Sequence, residues 1–222
     1  PYGRFVRNGW GPTIPAKWAW VLQELPAFGV ILGCFIYFNA WDNPVNWVFL
    51  LIWESHYFQR TFIYPFQFGS GSKPYPLLLV IFAIIFNSIN GFVNGYFLFH
   101  LSAHDTSWLT DPRMIIGLII FATGYYINKQ SDGILQKLKK QSKGEYVIPY
   151  GGWFRYVSCP HYFGEILEWT GWAELTWSMP GLAFAVFTFA NLAPRAWSHH
   201  LWYKSKFGDY PKARRAVLPF IW

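Results

Sequence analysis

Between His161 and Trp169 a histidine and two carboxylates, His161, Glu165 and Glu168, stand four and three residues apart in a segment that is otherwise aromatic and aliphatic. That spacing aligns them on one face of a helix. Three further polar stripes obey the same rule: Glu54, Tyr57, Arg60 and Tyr64; Asn128 and Asp132, continuing to Lys139; and Arg195, His199 and Tyr203. Glu24 adds a single carboxylate beside Gln23 and just ahead of Pro26. A carboxyl in apolar surroundings can stay protonated, so Glu24 can donate a hydrogen bond, as can the Tyr57 hydroxyl. Such donors can stabilise negative charge that develops on a bound carbonyl oxygen.

The elements that must position these groups are membrane helices. Of 222 residues 53% are apolar, 23% are aromatic and only 13% charged, far from the roughly 25% charge of ordinary soluble domains. A span needs about 20 mostly apolar residues, and six candidates stand out: Trp18 to Ala40, Val45 to Tyr64, Pro76 to Leu101, Met114 to Asn128, Tyr162 to Trp177 and Met179 to Trp197. The expected fold class is all-α, a multi-pass transmembrane helix bundle forming one integral-membrane domain over residues 1–222. The chain opens on Pro1 and not Met, so an N-terminal piece, with room for a further helix, is expected ahead of it. Ionisable groups at the middle of a bilayer cost about 2.5 to 3.5 kcal/mol each and survive mainly facing a bundle interior or a wet cavity. Function is therefore the default reading of the four stripes.

If the first span runs outward from the cytoplasm, alternation places Arg4, Arg7, Lys17, Lys73, Lys129, Lys137, Lys139, Lys140, Lys143, Arg155, Lys204, Lys206, Lys212, Arg214 and Arg215 on the cytoplasmic side, and leaves Arg113 opposite, among Asp42, Asp105 and Asp111. This satisfies the positive-inside rule. A basic membrane face serves anionic lipid or an anionic ligand. Phe68 to Pro76 reads as a flexible polar loop, and Lys129 to Ser158 as a polar region that opens with a helix, Ser131 to Lys140, and then turns.

Blander roles exist for each group. Arg60, Arg195 and His199 can snorkel to headgroups, Glu54 can pair with Arg60, Asp132 and Lys139 can form a solvated helix face, and Trp169, Trp172 and Trp177 can form an interfacial belt. The four stripes and Glu24 nevertheless converge mostly on the same, basic half of the bundle. No metal site is expected, since there is no His-Glu-x-x-His and no cysteine pair, and Cys34 and Cys159 give no disulfide framework. A hydrolase lacks a nucleophile elbow, and so apolar a chain serves nucleic acid poorly.

Several motifs, in order along the chain, resemble the membrane steroid 5α-reductases (3-oxo-5α-steroid 4-dehydrogenases): Trp20 to Pro26, His56 to Phe62, Lys73 to Pro76, Asn94 to Tyr96, Asn128 to Asp132, Phe163 to Trp169, and the tail Asp209 to Lys212 with Pro219-Phe220. The resemblance implies seven transmembrane helices and NADPH-dependent reduction of the Δ4 double bond of a 3-oxo-steroid. It implies that Glu24 and Tyr57 are the catalytic pair at the ketone, and that Trp20, Gln23, Arg60 and Tyr64 line the substrate. Cofactor contacts would come from Asn128, Asp132, Lys139, Tyr146, His161, Glu165, Arg195, His199 and Tyr203. His161 departs from the family, standing where the mammalian steroid enzymes carry Asn, and the Tyr64 to Pro74 loop is about two residues longer. The expected partners are a steroid or sterol-like lipid and the membrane lipid, with the protein a monomer, in the endoplasmic reticulum if eukaryotic and the inner membrane if bacterial. Other readings of the same residues are a reductase of another enone or polyprenol lipid, an isoprenylcysteine-type methyltransferase, and a proton or ion carrier.

Overall fold

The computed structural model describes residues 9–67, 73–142 and 145–222; the Gly/Ser stretch of the long loop and Lys143 lie outside them. The chain is helical throughout, with α1 Ala16–Tyr37, α2 Pro44–Phe58, α3 Leu77–Tyr96, α4 Pro112–Gln141, α5 Pro160–Thr176 and α6 Met179–Lys206. Strands of two residues each, β1 Thr13–Ile14 and β2 Tyr75–Pro76, pair antiparallel with Thr13 opposite Pro76. Thus the end of the expected flexible loop is tied to the segment that leads into α1.

Proline punctuates every helix start. Pro15 and Pro76 precede α1 and α3, Pro44, Pro112 and Pro160 open α2, α4 and α5, and Pro180 is second in α6. A proline there costs no hydrogen bond, because the first amides of a helix have no intrahelical acceptor, and its φ is already helical. Three starts are also capped by side chains: Asn43 accepts from the Val45 amide at 3.0 Å, Asp111 from Arg113 at 2.8 Å and Ser178 from Gly181 at 3.0 Å. Asp111 further holds the Arg113 guanidinium through Nε at 2.9 Å and Nη2 at 2.8 Å.

Among the described residues two helices are long and apolar enough to cross a bilayer by themselves, Ala16–Tyr37 and Leu77–Leu101; the second counts the π-helical turn Phe97–Leu101 that extends α3. The others carry the polar stripes or are shorter. α2 continues into a π-helical turn, Gln59–Ile63, which carries Arg60. The Met114 to Asn128 span and the Ser131 to Lys140 helix expected as separate pieces are one helix, the 30-residue α4. Nothing between them stops a helix: Gly133 is an isolated glycine, and the basic residues Lys139 and Lys140 fall in the last turn, where they suit the helix dipole.

The described chain forms two compact units, one through Leu109 and one from Thr110. In the first, α1 packs on α3 and α2. Trp53 is fully buried and its indole nitrogen donates to the Ala27 carbonyl at 3.0 Å. That carbonyl lies in the turn after Pro26, whose missing amide withdraws the usual partner from the Leu22 carbonyl.

In the second unit α4 and α5 make the most extensive contact. Its basis is four glycines. Gly117 and Gly124 on α4, and Gly164 and Gly171 on α5, are each seven residues apart and meet in antiparallel pairs. A Cβ built on Gly124 would lie 2.5 Å from the Gly164 carbonyl oxygen, and one on Gly171 would lie 2.6 Å from that of Gly117. Backbone therefore touches backbone at two crossings about two turns apart, the close approach that drives helix association in apolar surroundings. Trp169 and Trp172 fill the space beside these crossings, with Trp169 edge-on to Phe121 at 6.2 Å.

Candidate active site

In the first unit, α1 presents Trp20, Gln23 and Glu24. Gln23 is buried and its side-chain amide donates to the Glu24 carboxylate at 3.2 Å. Asn87 of α3 donates to the Gln23 backbone carbonyl at 2.5 Å and so holds this turn of α1. Glu24 itself is half-buried. The phenol of Tyr75 has its pKa raised, by burial first and then by the negative charge of Glu24, which places β2 within electrostatic reach of that carboxylate.

Tyr57 is 3% exposed, its ring held between Trp53 and His56 at centroid distances of 5.0 Å each. Arg60 does not reach for a headgroup and does not pair with Glu54. Its guanidinium is buried, 4.7 Å over the Trp20 ring and 4.6 Å over Tyr64, with those two rings 5.2 Å apart. Cation–π contacts of this kind gain when desolvated. The structure thus joins Trp20, Arg60 and Tyr64 into one cluster, and Gln23, Glu24 and Tyr75 into another.

In the second unit, the Asn128 side-chain amide of α4 donates to the backbone carbonyl of His161 on α5 at 3.0 Å. Gly164 permits it, because any side chain there would lie 2.5 Å from the Asn128 amide nitrogen. Asp132 follows one turn on, 6% exposed, and Lys139 stands exposed near the end of α4. Glu165 is half-buried one turn beyond His161. The Tyr162 ring bridges to His199 of α6 at 6.1 Å. Arg195, one turn before His199, is half-buried. Tyr203 stacks on Tyr210 of the tail at 5.4 Å. Tyr146, in the loop after α4, meets the Trp202 ring edge-on at 5.1 Å. Residues far apart in sequence are thereby gathered around the α4–α5 pair and the second half of α6. An apolar cavity of about 780 Å³ between α5 and α6, lined by Ile166, Thr170, Trp177, Leu182 and Phe189 among others, contains none of the residues predicted from the sequence.

One network was not predicted. Ser158 Oγ lies 2.6 Å from His200 Nδ1, 2.6 Å from the Tyr210 hydroxyl and 3.1 Å from the Arg215 carbonyl. The tail runs beside residues 156–159, with Arg215 donating to the Tyr156 carbonyl at 2.9 Å and Ser158 donating to the Arg215 carbonyl at 2.8 Å. Arg214 is buried over the rings of Tyr150 at 4.9 Å and Tyr210 at 5.3 Å. Single serines and tyrosines leave no pattern in sequence, but the adjacent His199 and His200 do, since neighbours on a helix face different ways. His199 looks to Tyr162 and His200 into the tail.

Burial, then the charges of Lys204 and Arg215, lower the His200 pKa. A base whose folded pKa lies below its unfolded value binds more protons unfolded, so stability is full above about pH 6.5, the ordinary histidine value, and falls as pH drops below it. Thermal unfolding followed between neutral and mildly acid pH will show this loss. His200→Gln will flatten it, and an unchanged slope in that variant would assign the acid sensitivity elsewhere.

A mainly helical chain, two of whose described helices are long and apolar enough to cross a membrane, sets the class as a helical protein suited to membrane association. The family model for 3-oxo-5-alpha-steroid 4-dehydrogenase matches residues 73–222. The chain is 42% identical over 230 residues to the Steroid 5-alpha-reductase DET2 of Arabidopsis thaliana, covering 100% of this chain and 87% of that protein. It is 42% identical over 222 residues to human 3-oxo-5-alpha-steroid 4-dehydrogenase 1, covering 99% and 85%, and 42% identical over 209 residues to human 3-oxo-5-alpha-steroid 4-dehydrogenase 2, covering 94% and 82%. The chain belongs to the 3-oxo-5-alpha-steroid 4-dehydrogenase family, and it is an oxidoreductase.

Proposed function

We propose that this protein reduces the carbon–carbon double bond between C4 and C5 of 3-oxo-Δ4-steroids to the 5α-reduced ketone, with NADPH as reductant. The observation that carries this reading is identity of about 40% along the whole chain with proteins named for that activity. The protein works as one reductase domain in the membrane, a monomer whose residues 1–222 cross it six times, with its cofactor residues on the cytoplasmic side.

Glu24, steadied by Gln23 and by Asn87 behind it, donates to the C3 carbonyl oxygen together with the Tyr57 hydroxyl. Both donors meet the charge that develops there as C5 is reduced, and donors fixed in advance are worth most where water is excluded. Tyr57 is suited to this by its rigid seat between Trp53 and His56. The aromatic walls of Trp20 and Tyr64, with Arg60 between them, suit a flat apolar ring system. A proton from solvent completes C4.

The second unit suits the cofactor. The buried Asn128 Oδ1 accepts no hydrogen bond, although the Nδ2 of the same side chain is engaged; a ligand amide or hydroxyl would satisfy it. Asp132, His161, Glu165, Arg195, His199 and Tyr203 supply further polar contacts, Tyr146 an aromatic wall, and exposed Lys139 a cation for phosphate. NADPH, when bound, supplies the hydride.

The deciding experiment is spectrophotometric NADPH oxidation by the purified protein with testosterone, progesterone or androstenedione. Steroid-dependent oxidation with a 5α-reduced product is expected. A melting shift with S-adenosylmethionine and none with NADPH would sink the reading in favour of a methyltransferase. Lys139→Ala is expected to weaken NADPH about tenfold and NADH little, as a charge-assisted contact to the 2′-phosphate requires. Equal weakening would assign that lysine another role.

A further inference from the structure

Glu54 is the one carboxylate of the first unit's polar stripes that the reading above leaves unused. It lies in α2, in the middle of an apolar span, and both its carboxylate oxygens are shielded from solvent with no hydrogen-bond partner. The cation on its own stripe, Arg60, has its guanidinium over the rings of Trp20 and Tyr64. Burying a carboxyl without a partner costs least when it is neutral. Such a group offers one O–H donor and one strong acceptor side by side. Among the described residues neither has a partner.

Its place on the helix is informative. Glu54 is three residues before Tyr57, so the two side chains share a face, with Glu54 about 4.5 Å lower along the helix axis. On the other side of Tyr57, one turn on, the Thr61 hydroxyl is also fully buried and without a hydrogen-bond partner. Buried polar groups are nearly always satisfied in proteins. Two unsatisfied groups, three residues before Tyr57 and four after it, mark this segment as one built to meet polar groups that arrive with a ligand.

We infer that Glu54 is a specificity-determining residue: as a neutral carboxyl it receives a hydroxyl on the ring system of a 3-oxo-steroid whose ketone is held at Tyr57. A hydroxyl matches it in full, donating to the carbonyl oxygen of the carboxyl and accepting from its O–H. A steroid bearing only the C3 ketone leaves the carboxyl unsatisfied. Because Glu54 is only one turn from Tyr57, the preferred substrates are 3-oxo-Δ4-steroids with a further hydroxyl on the ketone-bearing ring or the ring fused to it, and the reaction that supplies them is a steroid hydroxylation near the ketone end.

The inference rests on the proposed steroid reading, so the test measures binding without cofactor and separates the two. The quench of intrinsic tryptophan fluorescence is titrated with 4-androsten-3-one, which carries only the ketone, and with a panel of its monohydroxylated derivatives. The wild-type protein should bind at least one hydroxylated member about tenfold more tightly than the parent, the discrimination expected when a buried polar pair is completed or left open. Glu54→Leu should lose that preference with parent affinity unchanged, and Glu54→Gln, also neutral and able to donate and accept, should keep most of it. Glu54→Met serves as the apolar variant if Leu does not fold. The inference is overturned if the wild type binds the parent and shows no hydroxyl preference, or if the apolar variants keep the preference or weaken all members alike. If the wild type binds no steroid of the panel, the steroid reading itself falls and takes this one with it.

Discussion

Glu24→Gln and Tyr57→Phe will each lower the rate of the chemical step by about 100- to 1,000-fold, the usual cost of removing one donor to a developing oxyanion, while NADPH affinity stays within about twofold of wild type, since neither residue is assigned to the cofactor. The reasoning is geometric. Tyr57 is buried and clamped by two rings, so Phe fits the same seat and removes only the hydroxyl. Gln at position 24 preserves shape but replaces an acidic O–H by a far weaker amide donor, and it faces an amide at Gln23, which now donates to the carboxylate at 3.2 Å. Single-turnover kinetics with a fluorescence titration of NADPH will separate the two effects. Full turnover retained in both variants would remove the pair from catalysis, and a parallel loss of cofactor affinity would point to a damaged fold. The neighbouring phenol of Tyr75, which Glu24 influences electrostatically, makes Tyr75→Phe a useful companion: it should have a smaller effect than Tyr57→Phe if Tyr57 is the direct donor.

Gly124→Leu and Gly171→Leu will abolish a stable second unit, and even the alanine variants will be damaged. At both positions the first atom of any side chain would fall well inside contact distance of backbone on the facing helix. Backbone cannot swing aside as a side-chain tip can, so α4 and α5 must separate. Overpacking costs typically about 1 to 3 kcal/mol and more where nothing can give; with two backbones opposed the upper end applies. Separation would also pull Asn128 from the His161 carbonyl and disturb the whole cofactor-side cluster. Gly29 and Gly33 in α1 are the controls, since a Cβ at either meets nothing within 4 Å. Alanine there should leave the melting temperature unchanged or raise it slightly, helix propensity favouring Ala over Gly by about 1 kcal/mol. Comparable melting losses at Gly29 and Gly124 would show that helix propensity and not packing sets the response.

Much of the architecture is legible in the chain because its causes are local. Long apolar runs interrupted by Asn-Pro, Asp-Pro and Ser-Met-Pro signals mark helices and their starts, and four of the six expected spans coincide with a separate helix to within a few residues once the π-helical turns after α2 and α3 are counted. The other two, Met114 to Asn128 and Met179 to Trp197, fall short because the polar residues after them look like an exit from the membrane, although the backbone has no reason to break there: α4 runs on to Gln141 and α6 to Lys206. The heptad spacing of Gly117 with Gly124 and of Gly164 with Gly171 is present in the chain, but which glycine faces which is a property of two helices together.

The candidate site divides along the same line. Helical periodicity alone places Glu54, Tyr57, Arg60 and Tyr64 on one stripe, and His161 with Glu165 on another, because neighbours three and four apart share a face whatever surrounds them. Periodicity cannot choose the partners. By sequence Arg60 is free to pair with Glu54 or snorkel outward; the folded unit instead seats it between Trp20 and Tyr64. His200 looks like half of a surface pair, and its bond to Ser158 needs a tail that returns beside residues 156–159. What the sequence determined by itself was the apolar helical character, the polar stripes and the family, since composition, period and motif are written along one chain. Only the tertiary structure decided which polar group is satisfied by which and which, like the Glu54 carboxyl and the Asn128 carbonyl, are left open, because hydrogen bonding depends on distances across helices that no single segment encodes.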